Sequence, residues 1–147
     1  MEHRRTLIQT TRIPIRWGDM DAFGHVNNTV YFRYAEQARV EWLEGLPGGL
    51  GAFAEGVPEV IPVIVNASCT FQIPIGYPGV VEVRMYAGVP GRSSLPTYYE
   101  MRVDGDDRVS AEGAAKMVWM STATGRSAAL PAAVRSIAEG NEDGGAA

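Results

Sequence analysis

The residue types best suited to chemistry lie in one short polar segment, Asp21-Ala22-Phe23-Gly24-His25-Val26-Asn27-Asn28. This segment leads into a predicted helix, whose first turn leaves backbone N–H groups without intrahelical partners. Those N–H groups lie at the positive end of the helix dipole and can stabilise the oxyanion that develops on a carbonyl under attack. Asp21 precedes them and can act as a nucleophile or as a general base on water. The pattern favours acyl transfer or hydrolysis at a carbonyl group.

The polar residues of this segment have structural interpretations beside the chemical ones. An aspartate in a turn commonly braces the backbone, and this applies to Asp21 and more strongly to Asp19, for which we predict a turn or ion-pair role. For His25 we expect hydrogen bonding that braces the loop rather than direct proton transfer. Asn27 and Asn28 both suit a helix N-cap, and one of them is also a candidate for an active-site role.

The remaining reactive residue types point to no second site. Cys69 is the single cysteine and lies in a strand-like stretch with no histidine near it in the sequence, so a buried inert thiol is favoured over a nucleophile. The chain has only two histidines, His3 and His25. Because no cluster of ligand residues accompanies them, we expect no metal site.

A long helix should position the end of the polar segment. Its apolar stripe recurs at helical spacing and comprises Tyr31, Tyr34, Ala35, Ala38, Trp42 and Leu46. Asn27, Asn28 and Thr29 are good N-cap residues before that stripe, and Pro47-Gly48-Gly49 is expected to end the helix. Residues 47–58, which are rich in glycine and proline, are predicted to form a loop.

One strand is predicted before this helix and four strands after it. The first contains Ile13, Ile15 and Trp17, which alternate with polar residues and with Pro14, and Pro14 suits an edge strand or one that ends early. The later strands are predicted at residues 60–73, 81–89, 95–103 and 109–121, with a short helix at 131–137. Successive strands joined by short turns pair antiparallel, and the helix must bury its stripe against one face of the sheet. We therefore predict an α+β fold.

The composition is that of one soluble domain. A chain of 147 residues has the usual length of a single domain, expected here over residues 1–137, and the small, polar residues 138–147 are expected to be disordered. The net charge of −4 argues against a nucleic-acid partner. No stretch approaches the roughly 18 apolar residues of a membrane span, and the first residues lack the apolar run of a signal peptide. We expect a cytoplasmic protein that binds neither nucleic acid nor membranes.

The polar segment also resembles the signature of a known family. Residues 21–31 match the pattern D-x-x-G-H-V-N-N-x-x-Y of the hotdog-fold thioesterases, and are most similar to the 4-hydroxybenzoyl-CoA thioesterase-like family of acyl-CoA thioesterases. Supporting matches are E-x-A-R at Glu36-Gln37-Ala38-Arg39, F-x-x-P at Phe71-Gln72-Ile73-Pro74, a G-x-S-like turn at Gly91-Arg92-Ser93-Ser94, T-G-R at Thr124-Gly125-Arg126 and L-P at Leu130-Pro131. The resemblance covers roughly residues 10–131.

This resemblance implies a fold, an assembly and a site. The implied fold is a hotdog, in which an antiparallel sheet of five or six strands wraps one long helix. The implied assembly is a homodimer whose sheets join, often paired again into a homotetramer, with the active site at the dimer interface. The implied catalytic residue is Asp21, and the implied oxyanion donors and loop supports are Gly24, His25, Val26, Asn27 and Asn28. Arg92, with Ser93 and Ser94 beside it, is the candidate for binding the CoA phosphates.

Two details qualify the resemblance. Some relatives carry a histidine seven residues after the acid, where this chain has Asn28, and here a histidine stands four residues after it, at His25. An Asp–His dyad is therefore disfavoured. Some hotdog enzymes use a carboxylate on the helix as the acid, which makes Glu36 the reserve catalytic residue, although its spacing from Arg39 also predicts a simple i, i+3 ion pair. No cofactor is implied, since CoA belongs to the substrate.

Several functions remain open on the sequence. The first is an acyl-CoA thioesterase, in which water attacks the thioester with Asp21 as base, or Asp21 attacks first to give an anhydride. The second is a hotdog module that binds acyl-CoA without turnover, although a pure binder needs no carboxylate beside the carbonyl. The third is an acyl-carrier-protein thioesterase, which needs a basic docking surface. A hotdog dehydratase fits the loop less well.

Overall fold

Stretches with alternating or β-branched apolar residues form five strands, and two other stretches form α-helices. In the computed structural model, which describes residues 4–47 and 58–140, the strands are β1 (Thr6–Pro14), β2 (Val60–Phe71), β3 (Val80–Ala87), β4 (Ser94–Val103) and β5 (Ala111–Ser121). The helices are α1 (Asn28–Glu44) and α2 (Ala132–Ala138), and one 3-10 turn covers Trp17–Asp19. The predicted order of a strand, a long helix and four strands is confirmed.

The five strands form one antiparallel sheet in the order β1-β3-β4-β5-β2. The side chains that β3, β4 and β5 turn toward α1 are buried, and they include Val81, Val83, Met85, Leu95, Tyr99, Met101, Ala115 and Met117. Removing this apolar surface from water is the main force that holds the helix on the sheet. The predicted α+β hotdog fold is confirmed, with five strands around one long helix.

Helix α1 buries the predicted stripe as far as Trp42, whereas Leu46 lies beyond the end of the helix and is half-buried. Tyr31, Tyr34, Ala35, Ala38 and Trp42 are its buried residues. Ala38 is 0% exposed, so its small side chain allows close approach of the helix backbone to the sheet. The helix ends at Glu44 and Gly45 caps it, close to the predicted end. Most of the predicted loop, residues 48–57, lies outside the described residues.

The first strand differs from its prediction. β1 begins at Thr6 and ends at Pro14, and Trp17 is 74% exposed within the 3-10 turn. The alternation predicted through Trp17 fails because the Arg16 N–H donates to Asp19 Oδ2 at 3.0 Å and curls the chain into that turn. The expectation that Pro14 marks an edge strand is confirmed, since β1 lies at one edge of the sheet and Pro14 is its last residue.

The pairing of β2 also differs from the expectation that successive strands pair. β2 pairs with β5 and not with β3, so it forms the edge opposite β1. The connection between β2 and β3 is not a tight turn. It contains Pro74 and Pro78, and its Ile75 carbonyl accepts a hydrogen bond from Val26 N–H at 2.8 Å. This connection therefore packs against the polar loop before α1.

The β2 edge carries apolar side chains in contact with solvent. Val60, Ile64, Val65 and Phe71 are 36%, 37%, 54% and 45% exposed. An unpaired, apolar edge strand is a surface suited to pairing with another strand.

Near the C-terminus the described chain ends just after α2. The helix ends at Ala138, one residue beyond the predicted domain end, and Arg4 donates a hydrogen bond to the Glu139 carbonyl. Residues 141–147 of the predicted tail lie outside the described residues. Within residues 4–47 and 58–140, no helix has the length and apolar character that crossing a bilayer requires.

Candidate active site

A closed turn presents Asp21 beside the start of α1. The Asp21 N–H donates to the His25 carbonyl at 3.0 Å, and the Gly24 N–H donates to the Asp21 carbonyl at 3.0 Å. Gly24 has a φ of 84°, a left-handed conformation that glycine adopts without a steric penalty. Met20 and Val26 form a β-bridge just outside this turn. The turn therefore brings Asp21 back to the residues that precede the helix.

The Asp21 carboxylate is half-buried and is held by neutral donors. Its Oδ1 accepts the Phe23 N–H at 2.9 Å, and its Oδ2 accepts the Asn27 Nδ2 at 3.1 Å. Asp21 forms no ion pair with any other residue in the described ranges. Within those ranges the carboxylate therefore has no cationic partner, and the orientation of both its oxygens is fixed by hydrogen bonds to neutral groups.

Asn27 is the N-cap of α1. Its Oδ1 accepts the Thr29 N–H at 2.9 Å and the Thr29 Oγ1 hydroxyl at 2.7 Å. Because the oxygen is engaged by the helix, the amide nitrogen points to Asp21. One side chain thus caps the helix, as its type predicts, and orients the carboxylate.

The backbone N–H groups around the helix start differ in their freedom to bind a ligand. The N–H groups of Val26, Asn27 and Thr29 donate to Ile75 O, Asp19 O and Asn27 Oδ1 respectively. The N–H groups of His25 and Asn28 have no acceptor within residues 4–47 and 58–140. Asn28 is the first residue of α1, where the helix dipole favours negative charge. Val26 and Asn27 therefore support the loop, and the available donors are at Asn28 and His25.

His25 braces the loop by its backbone rather than by its ring. Its carbonyl accepts the Asp21 N–H, whereas its imidazole is exposed and makes no hydrogen bond to the described residues. The predicted bracing role is thus carried by the main chain.

Asp19 and Tyr34 form a contact that the sequence pattern does not predict. The Tyr34 hydroxyl donates to Asp19 Oδ2 at 2.8 Å across fifteen positions of sequence. Burial raises the pKa of Tyr34 well above its usual value, and the hydrogen bond to Asp19 raises it further. A buried tyrosine hydroxyl usually finds a partner, so the position of Tyr34 on the apolar stripe was the available signal. The predicted turn role of Asp19 is confirmed.

Glu36 and Arg39 do not form the predicted ion pair. Glu36 is exposed and lines a groove of about 400 Å³ between β1 and α1. Arg39 lies on the other flank of α1, where its Nη1 donates to the Tyr99 hydroxyl at 3.3 Å and its Cζ lies 5.7 Å from the centre of the Tyr99 ring. The i, i+3 prediction is wrong because the aromatic ring on β4 binds the guanidinium instead.

Cys69 lies half-buried on the edge strand β2, where it lines a small cavity between the sheet and α1. Burial raises the pKa of its thiol, which lowers the fraction of thiolate at neutral pH. The prediction of an inert thiol agrees with this environment. No group of residues suited to holding a metal occurs in the part of the chain that the structure describes.

The structure does not bring Arg92, Ser93 and Ser94 to Asp21 within one chain. Arg92 and Ser93 lie in the turn between β3 and β4, and Ser94 is the first residue of β4. The Arg92 and Ser93 carbonyls accept the N–H groups of Leu130 and Trp119, both at 2.9 Å. Arg92 itself is exposed. The Asp21 loop packs at the opposite end of β3, and a strand of eight residues spans about 26 Å.

A sequence model of the Thioesterase-like superfamily matches residues 15–137, which include the Asp21 loop, all of α1 and four of the five strands. The chain belongs to this superfamily. Its membership confirms the predicted resemblance and the predicted class of enzyme, a thioester hydrolase.

Solved structures of other proteins agree with this membership. The PA2801 protein of Pseudomonas aeruginosa, a candidate thioesterase, is 41% identical over 90% of this chain and 98% of its own, with a TM-score of 0.81. A candidate acyl-CoA thioesterase from Xanthomonas campestris is 26% identical over 85% of this chain and 100% of its own, with a TM-score of 0.73.

A more distant structure shows likeness of fold alone. The Slr0204 protein of Synechocystis, a 1,4-dihydroxy-2-naphthoyl-CoA thioesterase, is 19% identical over 88% of this chain and 94% of its own, with a TM-score of 0.78. No curated protein sequence matches this superfamily member.

Proposed function

We propose that this protein hydrolyses the thioester of an acyl-CoA or aroyl-CoA to the free acid and CoA, with Asp21 as the catalytic carboxylate. The observation that carries the proposal is that Asn27, the N-cap of α1, holds the Asp21 carboxylate and is followed directly by the Asn28 N–H, which has no acceptor in the described residues. The similarity to the candidate acyl-CoA thioesterase from Xanthomonas campestris supports the choice of a CoA thioester.

The proposed reaction uses the charge of each group. The thioester carbonyl oxygen accepts the Asn28 N–H, with the His25 N–H as a second available donor, so the helix dipole stabilises the oxyanion. Asp21 then removes a proton from water as the water attacks the carbonyl carbon. The tetrahedral intermediate collapses, the C–S bond breaks, and the CoA thiolate leaves and takes up a proton.

A second route uses the same groups in another order. Asp21 attacks the carbonyl carbon directly, the C–S bond breaks and an acyl–Asp21 anhydride forms. Water then cleaves the anhydride to the free acid and restores the carboxylate. Neither route needs a metal or a cofactor, since water and the carboxylate supply all the atoms and protons.

We place the CoA phosphates against Arg92, Ser93 and Ser94 of a second copy of the chain. One chain holds this turn and the Asp21 loop at opposite ends of β3, so a site built from both needs two copies. The exposed apolar edge of β2 supports a homodimer whose sheets join along that strand. Two such dimers pairing further would give a homotetramer.

The test is free-thiol release from short, medium, long and aromatic acyl-CoAs. We expect turnover by the wild type and a loss of at least about 100-fold in Asp21→Asn. Glu112→Gln is the matched control, because Glu112 is exposed on the sheet face opposite α1. Glu36→Gln, measured beside them, decides between the two candidate carboxylates.

Other outcomes separate the competing functions. Unchanged turnover in a folded Asp21→Asn variant would remove Asp21 from the role. Binding of acyl-CoA without thiol release by the wild type would support a binding module. Release from acyl carrier protein alone would support the carrier-protein thioesterase.

A further inference from the structure

Asp19 forms hydrogen bonds both to helix α1, at Tyr34, and to the segment that precedes the helix, at Asn27. Its Oδ2 accepts the Tyr34 hydroxyl at 2.8 Å and the Arg16 N–H at 3.0 Å, while its carbonyl accepts the Asn27 N–H at 2.9 Å. We infer that Asp19 and Tyr34 are positioning residues that hold Asp21 in its working orientation by way of Asn27. This inference rests on the proposed role of Asp21 in thioester hydrolysis.

Hydrogen bonds connect Tyr34 through Asp19 and Asn27 to Asp21, and Tyr34 is the end of this connection that is fixed in the core. It lies in the second turn of α1 and is 4% exposed, packed in the core that α1 shares with the sheet. Because burial keeps the pKa of its hydroxyl far above neutrality, the hydroxyl stays protonated and donates a hydrogen bond to Asp19 throughout the physiological range. The position of the Asp19 side chain is therefore set by the core.

Asp19 fixes the position of Asn27 through a backbone hydrogen bond. The Asp19 side chain is tied to Tyr34 and to the Arg16 N–H, so its carbonyl has a defined direction. That carbonyl binds the Asn27 N–H immediately before the helix begins. The N-cap residue is thus held from the loop side as well as from the helix side.

Asn27 in turn orients the Asp21 carboxylate through a hydrogen bond from its side chain. Both bonds to its Oδ1 come from Thr29, which fixes the amide orientation and leaves Nδ2 toward Asp21 Oδ2. A displacement of about 1 Å at a reacting group can lower a rate by about 100-fold. Loss of the Tyr34–Asp19 bond should therefore reduce turnover although neither residue contacts Asp21.

The test compares two loss variants with a conservative one. We expect Tyr34→Phe and Asp19→Ala each to lower kcat for acyl-CoA hydrolysis by about tenfold, with KM within about twofold of wild type. Asp19→Asn should retain most of kcat, because its amide oxygen can accept both bonds that Oδ2 accepts now. Tyr86→Phe is the matched control, since its hydroxyl bonds Glu100 on the opposite face of the sheet.

The double variant tests whether the two residues act in one connection. If they do, Asp19→Ala combined with Tyr34→Phe lowers kcat no further than Asp19→Ala alone. Additive losses would overturn the inference, and so would an unchanged kcat in folded Tyr34→Phe or an equal loss in Tyr86→Phe.

Failure of the proposed function gives a different result. If the wild type releases no thiol from any acyl-CoA, that proposal fails, and amide hydrogen exchange then decides this inference. Faster exchange of the Asn27 N–H in Tyr34→Phe than in Tyr86→Phe would support the positioning connection. Equal exchange in the two variants would overturn it.

Discussion

Asn27 Nδ2 lies 3.1 Å from Asp21 Oδ2, while the oxygen of the same amide caps α1 through Thr29. Orientation of the carboxylate and initiation of the helix therefore depend on one side chain. The two effects can be separated by substitutions that keep one bond and remove the other.

Substitution of Asn27 should separate stability from turnover. Asn27→Ser keeps an N-cap oxygen but loses the donor to Asp21, so we expect near wild-type stability with reduced kcat. Asn27→Ala loses both, and should also lower the free energy of unfolding by about 1 kcal/mol. Urea denaturation measured beside kcat checks this. Equal kcat in wild type and Asn27→Ser would show that the amide nitrogen does not orient Asp21.

We predict that substitutions of Gly24 destabilise the fold because of its backbone conformation and not because of a steric clash. A Cβ at this position would meet nothing within 4 Å, yet φ is +84°. We expect Gly24→Ala to lower the free energy of unfolding by about 1 kcal/mol and Gly24→Asn by less, because asparagine tolerates the left-handed region. Thermal denaturation of both variants provides the measurement. A Gly24→Asn variant less stable than Gly24→Ala would contradict this explanation.

The raised pKa of Tyr34 predicts a change in stability at alkaline pH. Burial is its main cause and the bond to Asp19 the second. Because the neutral hydroxyl is favoured in the folded state, its stabilising contribution is complete below about pH 10, the ordinary pKa of tyrosine, and is lost as the pH rises above it. The difference in Tm between wild type and Tyr34→Phe should shrink from about pH 10 upward. A constant difference in Tm up to pH 11 would argue against a raised pKa of Tyr34 in the folded protein.

We predict that the Cys69 thiol reacts slowly and is not needed for turnover. Since burial raises its pKa, labelling by a thiol reagent at pH 8 should be slower than that of a free cysteine and should accelerate as the pH rises. Cys69→Ala should keep kcat within about twofold of wild type, since the proposed chemistry gives the thiol no part. Rapid labelling at pH 7 with parallel loss of turnover would reverse this view.

Local patterns in the sequence were sufficient for the helix and its cap. The spacing of Tyr31, Ala35 and Ala38 predicts the buried face of α1. The run of N-cap residues 27–29 predicts its start, and Asn27 is the one that caps it, because both features depend on neighbours within a few residues. The hotdog fold followed from the resemblance of residues 21–31 to a known signature. Contacts between distant positions carried no such local signal.

Long-range contacts account for the differences. Thr11 in β1 is buried and donates a hydrogen bond to Glu41 of α1. Because this burial depends on a distant residue, the polar composition around Thr11 does not predict the first half of the strand. Arg39 binds Tyr99, sixty positions away, instead of Glu36. The Tyr34–Asp19 contact likewise depends on how α1 packs, which the residue types alone do not specify.

The separation of Asp21 and Arg92 along β3 has a genetic consequence for the proposed homodimer. Each site would take its carboxylate from one chain and its phosphate-binding arginine from the other. A chain damaged only at Asp21 and a chain damaged only at Arg92 would then complement each other in a mixed dimer. One of the two sites would inherit both defects, and the other would inherit neither.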